Sequence, residues 1–259
     1  RSSSTGTSTP SAPARDAPAP PSPTDPAPLG APLLLLNLKA YPSYLGAGAL
    51  ALGRRLAELA RSAGVAAAIA PSPTDLARLS EALPIPILAQ HTDPDEPGAR
   101  TGRLVAEAVR ASGASGSLVN HSEYTLSETD VRRVVDRLAA CHLVAVVCAG
   151  NVEEAGRLAA YQPPYLAIEP PELIGGDRSV STARPEVVSG AVRVVRTVSP
   201  ATRVLCGAGV HDREDVRLAL ALGSSGVLVA SAVTRSADPG RAIAELLAGF
   251  PKPSGPERR

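Results

Sequence analysis

The chain has no methionine and no tryptophan, one phenylalanine, and only two lysines, Lys39 and Lys252, among its 26 basic residues. With alanine, proline and arginine so abundant, this is a compositional bias of the source, and against it a lysine inside the folded part stands out. Three cysteines, Cys141, Cys148 and Cys206, lack the spacing of a metal site, and an odd number argues against a disulfide framework; reduced thiols are expected. No apolar run approaches the ~18 residues a membrane span needs. A net charge of +1 gives no reason to expect nucleic acid or an anionic membrane as partner. No G-x-G-x-x-G follows the first apolar run, which counts against a dinucleotide-binding fold.

What is there is regular. Residues 1–30 carry eight prolines and six serines, too little apolar surface to offset ordering entropy, so a disordered leader is expected. It has no apolar stretch like that of a secretory signal. A short tail, 251–259, is expected to fray. Between them, apolar runs of strand length alternate eight times with helical patterns. The runs are 33–41, 66–72, 85–91, 116–122, 143–150, 165–170, 203–209 and 226–231. Near-continuous apolar strands predict a parallel sheet buried on both faces. Leu52, Leu56 and Leu59 follow helical spacing, and Val131, Val134, Val135, Leu138 and Val188, Ala191, Val192, Val195 make full stripes. Asp212 is placed to open a helix. Eight βα units in this length predict an α/β protein with one closed (β/α)₈ barrel over 31–250.

Active sites in such barrels lie where strands end. The first run delivers Asn37 and Lys39, the fourth Asn120, His121 and Glu123, and the sixth Glu169; the last two end in small residues, "CGAGV" and "VASAV". Each has a bland alternative: a solvated rim lysine, a structural histidine, a surface glutamate, a tight turn. Their convergence on one end of one barrel outweighs these. Gly207 and Gly209 permit close backbone approach to an anion. A carboxylate, an imidazole and a lysine beside such a cradle suit proton transfer next to a carbonyl, needing neither metal nor cofactor. That describes an aldose–ketose isomerase acting on a small sugar phosphate.

The segments "NLKAY", "LVNHSEY", "AIEPPELIGG", "LCGAGV" and "VLVASAV" resemble the signatures of the triosephosphate isomerase family. "AQHTDPDEPGARTG" and "CAGNVEEA" resemble its compact archaeal-type branch, and the likeness runs in order over about 33–250. This family supplies the standard example of barrel catalysis with lid closure, so the roles that follow are implied by the resemblance. It implies a TIM barrel with Glu169 as base, His121 as neutral electrophile and Lys39 as a source of positive potential. Asn37 and Leu38 belong to the first-strand substrate motif. A lid runs from Pro170 to about Ser181 with Ile174 and Gly175 at its tip. Phosphate would rest on amides of Gly175, Gly209, Ala230 and Ser231.

The resemblance also implies a glycolytic and gluconeogenic role in the cytoplasm, and self-association as dimer or tetramer. One departure stands out: after the lid tip the chain reads Gly175-Gly176-Asp177-Arg178, with a carboxylate where a glycine is expected. The alternatives are a paralogue acting on another small ketose phosphate, such as a tetrulose phosphate, or a non-catalytic sugar-phosphate-binding barrel.

Overall fold

In the computed structural model the described residues are 29–173 and 179–252. The expected leader through residue 28, the lid residues Ile174, Gly175, Asp177 and Arg178, and the tail from 253 onward lie outside them. Among the described residues eight parallel strands form one barrel. They are β1 (Leu33–Asn37), β2 (Ala66–Ala70), β3 (Leu88–Ala89), β4 (Gly116–Val119), β5 (Val144–Ala149), β6 (Tyr165–Ile168), β7 (Arg203–Cys206) and β8 (Gly226–Val229). The hydrogen-bonded order is β2-β1-β8-β7-β6-β5-β4-β3, and a parallel bridge between Ile69 and Ile87 closes the ring.

Each expected run contains its strand, but the third is far shorter than 85–91. Pro84 and Pro86 have no N–H to donate. Beyond Ala89 the Gln90 side chain takes over as donor, to Lys39 O at 2.8 Å and Ala70 O at 3.1 Å.

Strand residues alternate between two apolar clusters, as a pleated strand buried on both faces must. Leu33, Leu35, Leu118, Val146, Tyr165, Ala167, Leu205 and Leu228 fill the barrel interior. Leu34, Leu36, Val119, Val147, Leu166, Ile168 and Val227 pack outward against the helices. Around the barrel run α1 (Ala47–Ala63), α2 (Leu76–Ala82), α3 (Ala106–Ala111), α4 (Glu128–Ala140) and α5 (Val152–Ala159). They continue with α6 (Val180–Ala183), α7 (Pro185–Val198), α8 (Arg213–Ala221), α9 (Ser231–Thr234) and α10 (Pro239–Leu247). The expected stripes on α4 and α7 are buried throughout. On α1, Leu52 and Leu56 are buried while Leu59 is only partly so. Asp212 caps α8 as expected, accepting the amides of Glu214 and Asp215.

At the end of the barrel where the strands begin, Leu29 joins the interior cluster. The Tyr165 hydroxyl donates to Gly30 O at 3.0 Å and accepts from Arg203 Nη1 at 3.0 Å. Packing therefore reaches back into the last two residues of the expected leader. All three cysteines are free thiols. No helix among the described residues is long and apolar enough to cross a membrane.

Candidate active site

The polar groups at the strand ends are inserted by the same alternation that fills the barrel. In β6, Tyr165 and Ala167 point inward, so the next residue in phase, Glu169, also points inward at the mouth. Asn37 follows Leu33 and Leu35 in β1, and Gly207 follows Leu205 in β7. In β5, Val144, Val146 and Cys148 share the interior.

Strand β4 breaks this rule. Leu118 points inward, so Asn120 would come next in phase. Asn120 instead adopts a left-handed φ of 59°, a conformation that asparagine tolerates. The turn swings His121 onto the cavity. The Asn120 side chain is left to tie the rim: Nδ2 donates to Cys148 O (3.0 Å) and Glu154 Oε1 (3.2 Å), and Oδ1 accepts from Leu126 N–H (2.9 Å).

Lys39 also has a left-handed φ, 50°, held by its own N–H donating to Asn37 Oδ1 at 2.9 Å. From there its ammonium reaches Glu123 Oε1 at 2.7 Å. Glu123 is more than a rim partner for the lysine, because its backbone N–H donates to His121 Nδ1 at 3.2 Å. A ring nitrogen that accepts carries no proton, so the imidazole is neutral with its proton on Nε2. That Nε2 faces Glu169 Oε1 at 3.8 Å, beyond hydrogen-bond range.

Glu169 is 4% exposed, and its Oε2 has no hydrogen-bond partner among the described residues. Burial pushes its carboxyl above the ordinary carboxylate range, and His121, the Cys148 thiol and Lys39 offset only part of that. Burial, then the charge of Glu169, pushes the Cys148 thiol well above the usual thiol range, so it stays protonated and donates to the carboxylate. A Cβ on Gly207 would stand 2.5 Å from Glu169 Cγ and 3.1 Å from Oε1. The expected use of Gly207 was backbone approach to an anion; here its missing side chain is the space the glutamate occupies.

Lys39, His121, Glu169 and Gly207 share one small, open-mouthed cavity. Asn37, Lys39, His121 and Glu169 line it together with Gly207, Gly209, Val210, Leu228, Val229, Ala230 and Ser231. Gly209 sits at a φ of 65°, and α9 begins at Ser231. Leu38 is placed elsewhere: fully buried among the outward-facing core residues, with its N–H on Ala70 O. Of the lid, the described near part is a 3-10 turn at Pro171–Leu173, packed on Gly150 and held by an ion pair from Glu172 to Arg184 at 2.7 Å.

Sequence reasoning missed Cys148, Gln90, Asn120's structural use and Glu154. Strand phase alone could have found Cys148, two residues beyond Val146.

Fold and site together define a class: a (β/α)₈ barrel whose C-terminal mouth holds a desolvated carboxylate opposite a neutral imidazole N–H, able to move a carbon-bound proton while a neighbouring oxygen is polarised. Within that class the assignment is direct. The family model described as triosephosphate isomerase matches residues 32–247, and the chain belongs to that family.

Relatives named triosephosphate isomerase include one from Methanothermus fervidus, 43% identical over 216 residues, covering 83% of this chain and 97% of the relative. One from Methanosarcina acetivorans is 40% identical over 219 residues, covering 85% and 99%. Among solved structures, triosephosphate isomerase from Bartonella henselae superposes with a TM-score of 0.67 at 21% identity, covering 84% of this chain and 96% of the other. That last likeness concerns the fold.

Proposed function

We infer that this chain interconverts D-glyceraldehyde 3-phosphate and dihydroxyacetone phosphate, the reaction its family is named for, and that Glu169 is the base. The Glu169 carboxylate removes a proton from the carbon next to the carbonyl and returns it to the neighbouring carbon. In between, the electron pair rests on an enediolate oxygen. His121 donates its Nε2–H to that oxygen, so the developing charge is met by a fixed dipole, and Nε2 regains a proton from the neighbouring hydroxyl as the second carbonyl forms. Lys39 supplies positive potential from the same side. The amides of Gly209, Ala230 and Ser231, with Gly175 from the lid, hold the phosphate; Asn37 borders the reacting carbons.

One observation carries the reading: a carboxylate 4% exposed, with one oxygen unpartnered among the described residues, faces the protonated nitrogen of a neutral imidazole across an open cavity. A base stripped of solvent, its pKa raised by burial, is suited to carbon acids.

Conversion of glyceraldehyde 3-phosphate, coupled to a dehydrogenase, tests it. Wild type should approach the diffusional ceiling of roughly 10⁸ M⁻¹s⁻¹, the level for which triosephosphate isomerase is itself the usual example. Glu169→Gln should lose about 10³-fold or more in kcat with its circular dichroism unchanged. A folded wild type that ignores the triose phosphate but turns over a tetrulose phosphate would transfer the reading to the paralogue. The same reading includes self-association as dimer or tetramer, a cytoplasmic location, and the division into leader, barrel and tail. Sedimentation, fractionation and limited proteolysis test these in turn.

A further inference from the structure

Asp215 sits in the first turn of α8, where a carboxylate has an ordinary use. Asp212 Oδ1 accepts the amides of Glu214 (2.9 Å) and Asp215 (3.0 Å), and Asp215 Oδ2 accepts the amide of His211 at 2.9 Å. A helix cap needs no more than that. Yet Asp215 Oδ1 also accepts the hydroxyl of Thr182 at 2.8 Å, from a different element, and its carbonyl accepts Ser181 Oγ at 3.2 Å.

The segment 179–183 is joined twice more, to the end of β7 and to the loop after it. Val180 N–H donates to Ala208 O at 3.0 Å, and the Ser181 N–H points at the sulfur of Cys206, as does that of Ala208. Burial and then the charge of Asp215 push the Cys206 thiol up to about 12, so the sulfur stays a neutral, soft acceptor. Between Cys206 and His211 lies Gly209, on the cavity wall.

We infer that Asp215 is a positioning residue for the phosphate side of the cavity. By holding the His211 amide and the Thr182 hydroxyl at once, it locks the 207–211 loop, and Gly209 with it, against the segment 179–183. This rests on the reading that Gly209 helps hold the substrate's phosphate.

A cap alone and a positioning residue differ in what they make fail. Loss of a cap lowers stability and affects every substrate alike. Loss of positioning weakens the grip on phosphate. Electrostatics alone predicts a third result: removing a carboxylate near an anion site should tighten phosphate binding.

Two variants separate these. Asp215→Ala removes both side-chain bonds, whereas an amide could keep them by donating to the threonine hydroxyl. Thr182→Val removes only the hydroxyl's bond to Asp215 Oδ1 and leaves the cap whole, so it decides the matter even if Asp215→Ala does not fold. The readouts are the inhibition constant of inorganic phosphate and the ratio of kcat/KM for glyceraldehyde 3-phosphate to that for unphosphorylated D-glyceraldehyde. Both variants should weaken phosphate inhibition and lower that ratio by roughly fivefold to tenfold.

A folded Thr182→Val with inhibition and ratio like wild type overturns the proposal, as does an equal loss on both substrates. Wild type that neither converts the triose phosphate nor is inhibited by phosphate would overturn the functional reading and this one with it. Wild type that does both, beside variants that match it, overturns this one alone.

Discussion

Glu169 shows what a single buried charge costs and what it does. Its folded pKa lies above the unfolded value because burial penalises the charged form. Above the folded pKa the ionised group therefore destabilises the protein in full. The penalty shrinks as pH falls between the folded value and the ordinary carboxylate range. Glu169→Gln should raise the melting temperature at pH 8, and the gap should narrow on acidification through that window; a variant no more stable than wild type at pH 8 contradicts it. The same shift sets activity: the acid limb of the kcat/KM profile should lie above the ordinary carboxylate range, since the base must be ionised. Gly207 makes a second case. The atoms a Cβ would strike belong to the glutamate side chain, which can move, and not to backbone. Gly207→Ala should therefore displace Glu169 and cost about tenfold or more in kcat, with little change in urea midpoint. Equal activity in the variant would mean that the glutamate has more room than its contacts indicate.

At the scale of elements, the loops at the barrel mouth depend on how the helices after them begin. Asn151 caps α5, its Oδ1 accepting Glu154 N–H at 2.8 Å. That cap holds Glu154, whose carboxylate accepts from Gly150 N–H at 2.8 Å and from Asn120 Nδ2 at 3.2 Å. One cap thus supports the ends of β4 and β5 together. Asn151→Ala should cost about 1 kcal/mol in urea unfolding, and Asn151→Ser should recover most of it. A loss that serine does not recover would point to packing and not to the hydrogen bond. The near end of the lid is built in the same way: two prolines limit φ, and a 3-10 turn with an ion pair to Arg184 sets where it leaves the barrel.

The eight described strands form a ring closed by one bridge, so none of them is left as a free edge, but every seam must fit. At the seam between β1 and β8, Leu33 pairs with Gly226, and a Cβ there would lie 2.1 Å from Leu33 O. Backbone cannot step aside as a side chain can. Gly226→Ala should destabilise by about 3 kcal/mol or more, or fail to fold, read from urea unfolding or soluble yield. A mild effect would show that the seam can spread. The seam between β2 and β3 is spare: β3 is two residues long, and a single bridge between Ile69 and Ile87, just before it, joins the two.

The sequence by itself determined the eight βα units, the buried parallel sheet and which end of it carries chemistry, because local periodicity reports which faces are buried. It also determined that Glu169 faces inward, since strand phase carries over from Tyr165 and Ala167. Only the tertiary structure decided the rest. The left-handed turn at Asn120 that brings His121 to the cavity is invisible to periodicity, which assumes an unbroken strand. The space under Glu169 left by Gly207 belongs to two strands far apart in sequence. The proton position on His121 depends on the Glu123 amide that meets its Nδ1. The reach of Asp215 to Thr182 joins elements that only barrel closure sets side by side. Composition and spacing record what each residue does to its own segment; hydrogen bonds and clearances between segments exist only once the ring has closed.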